Sequence, residues 1–334
     1  MEDKRDIQTI CLNCFATLDK SGFCFHCRRR RDDEGPLMNL PMRSVLGGRY
    51  LVSRALGRGG FGITYLAWDL LTSTRVAIKE FFPKGYATRQ PMSTAVSVLR
   101  PEFVTPFNHW LKAFIQEARI LMSIKHLHGT VKLLNFFESN NTAYIVMDYL
   151  EGQSLRKYLM ARGGRISLRE TLIILRPVLE SLSILHQYGI IHKDISPENI
   201  QLVQGNMVKL LDFGAAMAYN SNMVKPYIVL KSGFSPVELY RPQQFEQGPW
   251  SDVYQMGATI YNCITGYLPA DATVRYKQDL LPRPSKLGIK IPIAVENALM
   301  KSLAVLPKDR YTNIGEFIQM LYGEFMPPLR QTIR

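Results

Sequence analysis

Ile190-Ile191-His192-Lys193-Asp194-Ile195-Ser196-Pro197-Glu198-Asn199-Ile200 decides how the rest of this chain is read. It places a carboxylate and a carboxamide five residues apart with a proline between them, an arrangement that can hold a hydroxyl and a metal ion at once. Thirteen residues beyond Asn199 comes Asp212-Phe213-Gly214, a second carboxylate beside a glycine hinge, suited to bringing another oxygen ligand to the same place. Hard divalent cations take oxygen ligands, so the two stretches point to phosphoryl transfer from a magnesium nucleotide.

Both stretches resemble those of the eukaryotic-type (Hanks-type) protein kinase family, whose catalytic loop reads H-R-D-L-K-P-E-N and whose metal loop reads D-F-G. Lys193 stands where the family usually has Arg, which keeps the charge. Ser196 stands where serine/threonine kinases usually have Lys, which removes a cation that in the family contacts the transferred phosphate. The loop is similar to the H-x-D-I-S-P-x-N loop of bacterial members. The resemblance implies an α+β fold of two lobes, a small β-rich N-lobe and a larger helical C-lobe. It implies an ATP-dependent serine/threonine kinase of bacterial signalling, because Pro197-Glu198-Asn199 departs from the tyrosine-kinase pattern A-A-R-N. Asp194 would orient the substrate hydroxyl and accept its proton, while Asn199 and Asp212 would bind Mg2+ or Mn2+. His192 is expected to pack near Phe213.

Upstream, Gly57-Arg58-Gly59-Gly60-Phe61-Gly62 follows the strand-like Tyr50-Leu51-Val52 and leads into Ile63-Thr64-Tyr65-Leu66-Ala67. Dinucleotide folds use G-x-G-x-x-G to open a helix, but β-branched and aromatic residues follow here, which favours a strand, a loop and a strand over the phosphates. Thr64 takes the place of the family's Val. Val76-Ala77-Ile78-Lys79 matches the family's V-A-I-K, so Ala77 is expected at the adenine and Lys79 at the phosphates, paired with a helical carboxylate. The best helix runs Trp110–Ile124, with Leu111, Phe114, Ile115, Ala118, Leu121 and Met122 on one face and Glu117 its only carboxylate. Glu117 is therefore the expected partner of Lys79. By resemblance Met147 guards the back of the adenine pocket, and backbone from Asp148 to Leu150 meets the adenine edge. Gln201 stands where the family offers an apolar residue to the adenine.

Later motifs read as scaffold. Ser167-Leu168-Arg169-Glu170 is a capping box opening a helix to about Tyr188. Ser235-Pro236-Val237-Glu238 resembles the family's A-P-E, and Glu238 should be buried against Arg310, since a buried carboxylate needs a partner. Asp252 should hydrogen-bond beneath the catalytic loop. Tyr219, Ser221, Tyr227 and Ser232 offer hydroxyls for modification between residues 215 and 233, with no flanking signal to choose among them.

At the other end come Cys11-x-x-Cys14 and Cys24-x-x-Cys27, with nine residues between the pairs. Two such knuckles can bring four thiolates to the corners of a tetrahedron, the requirement of a structural Zn2+ site, and a segment so short needs the metal to fold. His26 reads as a spectator and Cys263 as an ordinary buried thiol. The expected organisation is a zinc ribbon at 1–27, a basic flexible linker at 28–48, a kinase domain at 49–323 (N-lobe 49–147, C-lobe 152–323) and a tail at 324–334. The ribbon and an insertion over 81–107 are candidate surfaces for a protein partner beside the protein substrates, although a tolerated loop explains the insertion equally well.

An apolar content of 46% is ample for a large core, and no run of about 18 apolar residues suggests a membrane span. The charged start leads into no apolar segment, so a cytoplasmic protein is expected. The net charge of +13 includes Arg28–Arg31, read as a solvated linker; nucleic-acid binding through it lacks a supporting aromatic face. A second reading is a pseudokinase scaffold that binds partners through the ribbon and the insertion. Against it, Lys79, Glu117, Asp194, Asn199 and Asp212 are all present.

Overall fold

The computed structural model describes residues 7–30, 38–124, 127–205, 207–211, 217–218 and 230–323. The chain divides into two compact units, the first within residues 1–125 and 132–149, the second within residues 126–131 and 150–334.

In the first unit, β1 (Phe23–Cys24) pairs with β2 (Arg29–Arg30) in a small hairpin. Two residues of the arginine run thus belong to a strand instead of a linker. There follow β3 (Val45–Leu46), β4 (Tyr50–Arg58), β5 (Gly62–Asp69) and β6 (Thr74–Phe81), then the short pair β7 (Ala87–Thr88) and β8 (Ser97–Val98). Helix α1 (Val104–Ser123) leads to β9 (Leu133–Ser139) and β10 (Thr142–Asp148). Six strands form one antiparallel sheet in the order β3-β4-β5-β6-β10-β9. Alternation puts Ile63, Tyr65 and Ala67 on one sheet face with Val76, Ile78, Tyr144 and Val146, and the same core takes in Phe81 and Ile145 of the other face together with Phe107, Trp110, Phe114 and Ala118 of α1. The helix begins six residues before the position that periodicity suggests, and Met122 is exposed. Part of the supposed linker is structured too, since Leu40 and Leu46 are buried in the same core.

The insertion is also built in. Phe82, Ala87 and Val96 are core residues, and Arg89 is buried in an ion pair with Glu80. Tyr65 and Tyr144 donate to the same Glu80 carboxylate, at 3.1 and 3.0 Å. A buried carboxylate with a guanidinium and two phenols has its acceptor sites filled, which offsets the cost of burying it.

The second unit opens with β11 (Gly152–Ser154), α2 (Leu155–Ala161) and α3 (Leu168–Gln187). The Ser167 hydroxyl accepts from the Glu170 amide at 3.2 Å, so the helix starts where the capping box places it. Next come β12 (Ile190–Ile191), β13 (Ile200–Val203), β14 (Met207–Leu210) and β15 (Met217–Ala218). β11, β13 and β14 form one sheet, while β12 pairs with β15. The rest is helical: α4 (Val237–Tyr240), α5 (Pro249–Thr265), α6 (Ala272–Lys277), α7 (Ile293–Ser302) and α8 (Ile314–Tyr322). Helix α5 is buried continuously from Ser251 to Thr265, as befits the centre of a helical unit. Among the described residues no helix is long and apolar enough to cross a membrane.

Candidate active site

The expected nucleotide residues of the first unit line up by register. Gly57 stands opposite Thr64, Thr64 opposite Lys79, and Ala77 opposite Met147. Because directly opposed residues share a sheet face, Thr64, Ala77, Lys79 and Met147 lie together on one face, the face on which Phe81 meets Phe107 and Phe114 of α1. Lys79 is buried, and a Cβ added to Gly62 would fall on the Glu80 carbonyl oxygen and lie 3.6 Å from the Lys79 Cε. Only glycine lets the two strands close beside the lysine stem. The turn 59–62 is closed by the Gly59 amide donating to the Gly62 carbonyl at 2.9 Å. The insertion holds it from the side: the amides of Phe82 and Lys84 donate to Phe61 and Gly60, both at 2.9 Å. Nothing in the sequence pattern shows that tie. Glu117 lies half-buried on α1 beside the buried Phe114 and Ala118, in the same unit as Lys79. β10 ends at Asp148, whose amide donates to the Lys132 carbonyl at 3.0 Å.

The second unit holds Leu150, Asp194 and Asn199. Asn199 Nδ2 donates to the Asp194 carboxylate Oδ2 at 2.8 Å and to its backbone carbonyl at 2.7 Å. Two bonds across one turn fix both side chains, as the spacing around Pro197 requires. The loop is fixed from below by Asp252, at the start of α5. Its carboxylate accepts from the amides of His192 and Lys193, each at 2.8 Å, and lies 2.9 Å from His186 Nε2. Lys193 is held at φ 62°, a left-handed backbone that is uncommon for a non-glycine residue. Gln255 adds a second brace, accepting from the Ile195 amide at 3.0 Å and donating to the Lys193 carbonyl at 2.9 Å. A carboxylate that is oriented but partly exposed can take a proton from a neighbouring hydroxyl.

The expected anchor Glu238 is buried against Arg310, with bonds of 2.6 and 3.1 Å, and also accepts from the Ser251 hydroxyl at 2.8 Å. Asp212 lies outside the described residues, as do Phe213, Tyr219, Ser221 and Tyr227. Gln201 lies half-buried on β13, opposite Lys209 of β14.

A separate cluster lies near the start of the chain. The sulfur atoms of Cys11, Cys14, Cys24 and Cys27 all fall within 4.8 Å of one another, with Cys11 to Cys27 and Cys14 to Cys24 each 3.5 Å apart. Bonded sulfurs would lie near 2.05 Å, whereas thiolates around one tetrahedral ion at about 2.3 Å lie roughly 3.8 Å apart. The donor set therefore fits a metal. Each knuckle repeats the same turn: the Phe15 amide donates to the Cys11 carbonyl and the Arg28 amide to the Cys24 carbonyl, with Phe15 at φ 62° and Arg28 at φ 58°. Asp19 closes the connection by accepting from Ser21 and Phe23.

The cluster is seated on the sheet. Ile10, Leu12 and Phe15 pack with Leu51, Leu66, Trp68 and Tyr149, and the Phe15 ring stacks on Trp68 with centroids 5.0 Å apart. Arg43 donates to the carbonyls of Ile7 and Ile10 at 2.7 and 2.9 Å. Phe25 remains exposed.

Comparison with known proteins identifies the family and the fold. The family model described as "Protein kinase domain" matches residues 50–312. The chain is 29% identical over 275 residues to Serine/threonine-protein kinase PrkC of Bacillus subtilis, covering 80% of this chain and 39% of that protein. It is 28% identical over 340 residues to Serine/threonine-protein kinase F of Synechocystis, covering 93% of this chain and 61% of the other. It is 30% identical over 285 residues to Serine/threonine-protein kinase PknA of Mycobacterium tuberculosis, covering 82% and 60%. A solved structure, "PpkA-294 apo form", superposes with a TM-score of 0.69 at 32% identity, covering 85% of this chain and 99% of that one. The chain thus spans between about two fifths and three fifths of these curated relatives.

Proposed function

This chain belongs to the protein kinase family, and from that premise we propose that it transfers the γ-phosphoryl group of ATP to serine or threonine hydroxyls of proteins. The observation that carries the proposal is the Asp194–Asn199 pair, held by Asp252 and Gln255 in one conformation. Such a turn presents a carboxylate to a hydroxyl and an amide oxygen to a cation from adjacent positions. The substrate oxygen would attack the γ-phosphorus, its proton passing to Asp194. The bond to the β-phosphate oxygen would break, with its electron pair leaving on ADP. No covalent enzyme intermediate is needed, and the rate comes from positioning and charge neutralisation.

The first unit supplies the nucleotide contacts in this reading. The backbone of the turn through Gly57, Gly59, Gly60 and Gly62, in which the Gly59 amide is already engaged by the Gly62 carbonyl, would approach the phosphates, Lys79 would neutralise them with Glu117 as its carboxylate, and Thr64, Ala77 and Met147 would meet the adenine. The Asp148 amide is engaged by Lys132, so an adenine contact from that residue falls to its carbonyl and the donor to the Leu150 amide. Mg2+, bound through Asn199 and Asp212, would neutralise the phosphates.

We further propose that the four cysteines hold one structural Zn2+ and that this ribbon is a fixed part of the kinase's first unit. Its apolar residues are occupied by the sheet, which supports a scaffold role over nucleic-acid stacking. A kinase domain over 49–323 with the ribbon at 1–27 remains the proposed organisation, in a cytoplasmic setting.

Incubation with γ-labelled ATP and casein tests the activity. Wild type should label the acceptor, and Asp212→Ala should reduce the label by at least a hundredfold, in the range expected when a charge-stabilising group is removed. Equal label from both proteins would leave only the scaffold reading.

A further inference from the structure

Ser196 leaves the catalytic loop without the cation that serine/threonine kinases carry at that place, and Lys193 turns its ammonium to Gln247 Oε1 at 3.2 Å. The structure assigns the missing charge to another element: we propose that Lys231 is the catalytic cation of this kinase. This inference rests on the kinase reading above. The Lys231 ammonium lies 2.5 Å from Asp194 Oδ1 and 3.0 Å from the hydroxyl of Ser196, which is itself fully buried. The ammonium thus stands against both the proposed proton acceptor and the position where the loop's own lysine is absent.

Several features show that Lys231 is placed rather than passing by. Its amide donates to the Ser235 hydroxyl at 2.9 Å, and the Ser235 and Phe234 amides donate back to its carbonyl at 2.8 and 3.0 Å. Within this turn Gly233 has φ +82°, and a Cβ there would lie 2.8 Å from the Pro269 carbonyl, so the turn is seated tightly on residues 268–269. A donor fixed before reaction costs no reorganisation when charge develops. Asp194 is already oriented through Oδ2 by Asn199, so the lysine is not needed merely to hold the carboxylate. The Asp194 and Lys231 side chains are 14% and 25% exposed, so neither is sealed in the interior. A hydroxyl within hydrogen-bond reach of Asp194, about 2.6–3.2 Å, brings the phosphoryl group bonding to it next to the same ammonium. Ser196 and Lys231 therefore exchange the usual arrangement: the hydroxyl sits on the loop and the cation on the segment facing it.

Steady-state transfer to casein, with kcat and the KM for ATP measured separately, tests this. Lys231→Met should lower kcat roughly a hundredfold with KM for ATP within about threefold, because the charge acts on the transferred group. Ser196→Lys combined with Lys231→Ser returns one ammonium to the same site from the loop side and should recover at least tenfold of that loss. A Lys231→Met enzyme with kcat within twofold of wild type would overturn the assignment, as would a folded double variant, with wild-type thermal midpoint, no more active than Lys231→Met. Wild type that labels no acceptor would remove the kinase reading and this inference with it, whereas an active wild type with an unaffected Lys231→Met removes this inference alone.

Discussion

Asp252 holds two successive backbone amides and an imidazole with one carboxylate, so its ionisation is tied to the shape of the catalytic loop. Burial pushes its carboxyl up, but the His186 hydrogen bond, the charges of His186 and His192 and the His192 amide outweigh burial and hold it below the usual carboxylate range. A carboxyl lowered in the folded state stabilises the fold above its unfolded value, near pH 3.9, and loses that contribution as pH falls through the lower folded value. The urea midpoint of wild type should therefore drop more steeply below about pH 4 than that of Asp252→Asn. Parallel curves would contradict the coupling. The Glu238–Arg310 pair is buried on both sides. Removing one partner of a buried pair strands the other, so Arg310→Met should cost about 3–5 kcal/mol in urea unfolding, and a cost under about 1 kcal/mol would show that the pair is replaceable.

The element whose role changes most is the cysteine-bearing segment, which the sequence presents as a module followed by a linker. Its spacing makes the ligand set legible, because C-x-x-C repeated at short range has few other uses. Its seat was not legible: the Phe15–Trp68 stack and the cluster that joins Leu12 to Leu51 unite residues too far apart for any periodicity to reveal. The same holds for the insertion, where Arg89 is buried against Glu80. Local motifs carry β5, β6 and the capping box of α3; partner choice among distant charges does not show in a linear pattern. Two results should follow for the ribbon. Metal analysis should return one Zn2+ per chain, lost in Cys24→Ala; purified, folded protein without zinc would contradict the site. Phe15→Ala should lower stability by about 3–5 kcal/mol and shift tryptophan emission to the red, as Trp68 loses its cover. Unchanged emission would mean that the ribbon is not seated on the sheet.

On the scale of the whole molecule, one chain carries a six-stranded unit with an ordered glycine turn and a buried lysine, and a helical unit with a braced carboxylate. The motif order made that division readable, since Lys79 falls on a strand, Glu117 on a helix and Asp194 and Asn199 in a loop, while Asp212 lies outside the described residues. Lys231 was missed because nothing near it in the sequence marks it; only the absence of a lysine at Ser196 could have prompted a search for a substitute. Mass spectrometry of casein after reaction with ATP and Mg2+ tests the central claim most directly. The account predicts phosphoserine and phosphothreonine with wild type and neither with Asp194→Asn; equal phosphorylation by that variant, or phosphate found on tyrosine alone, would contradict it.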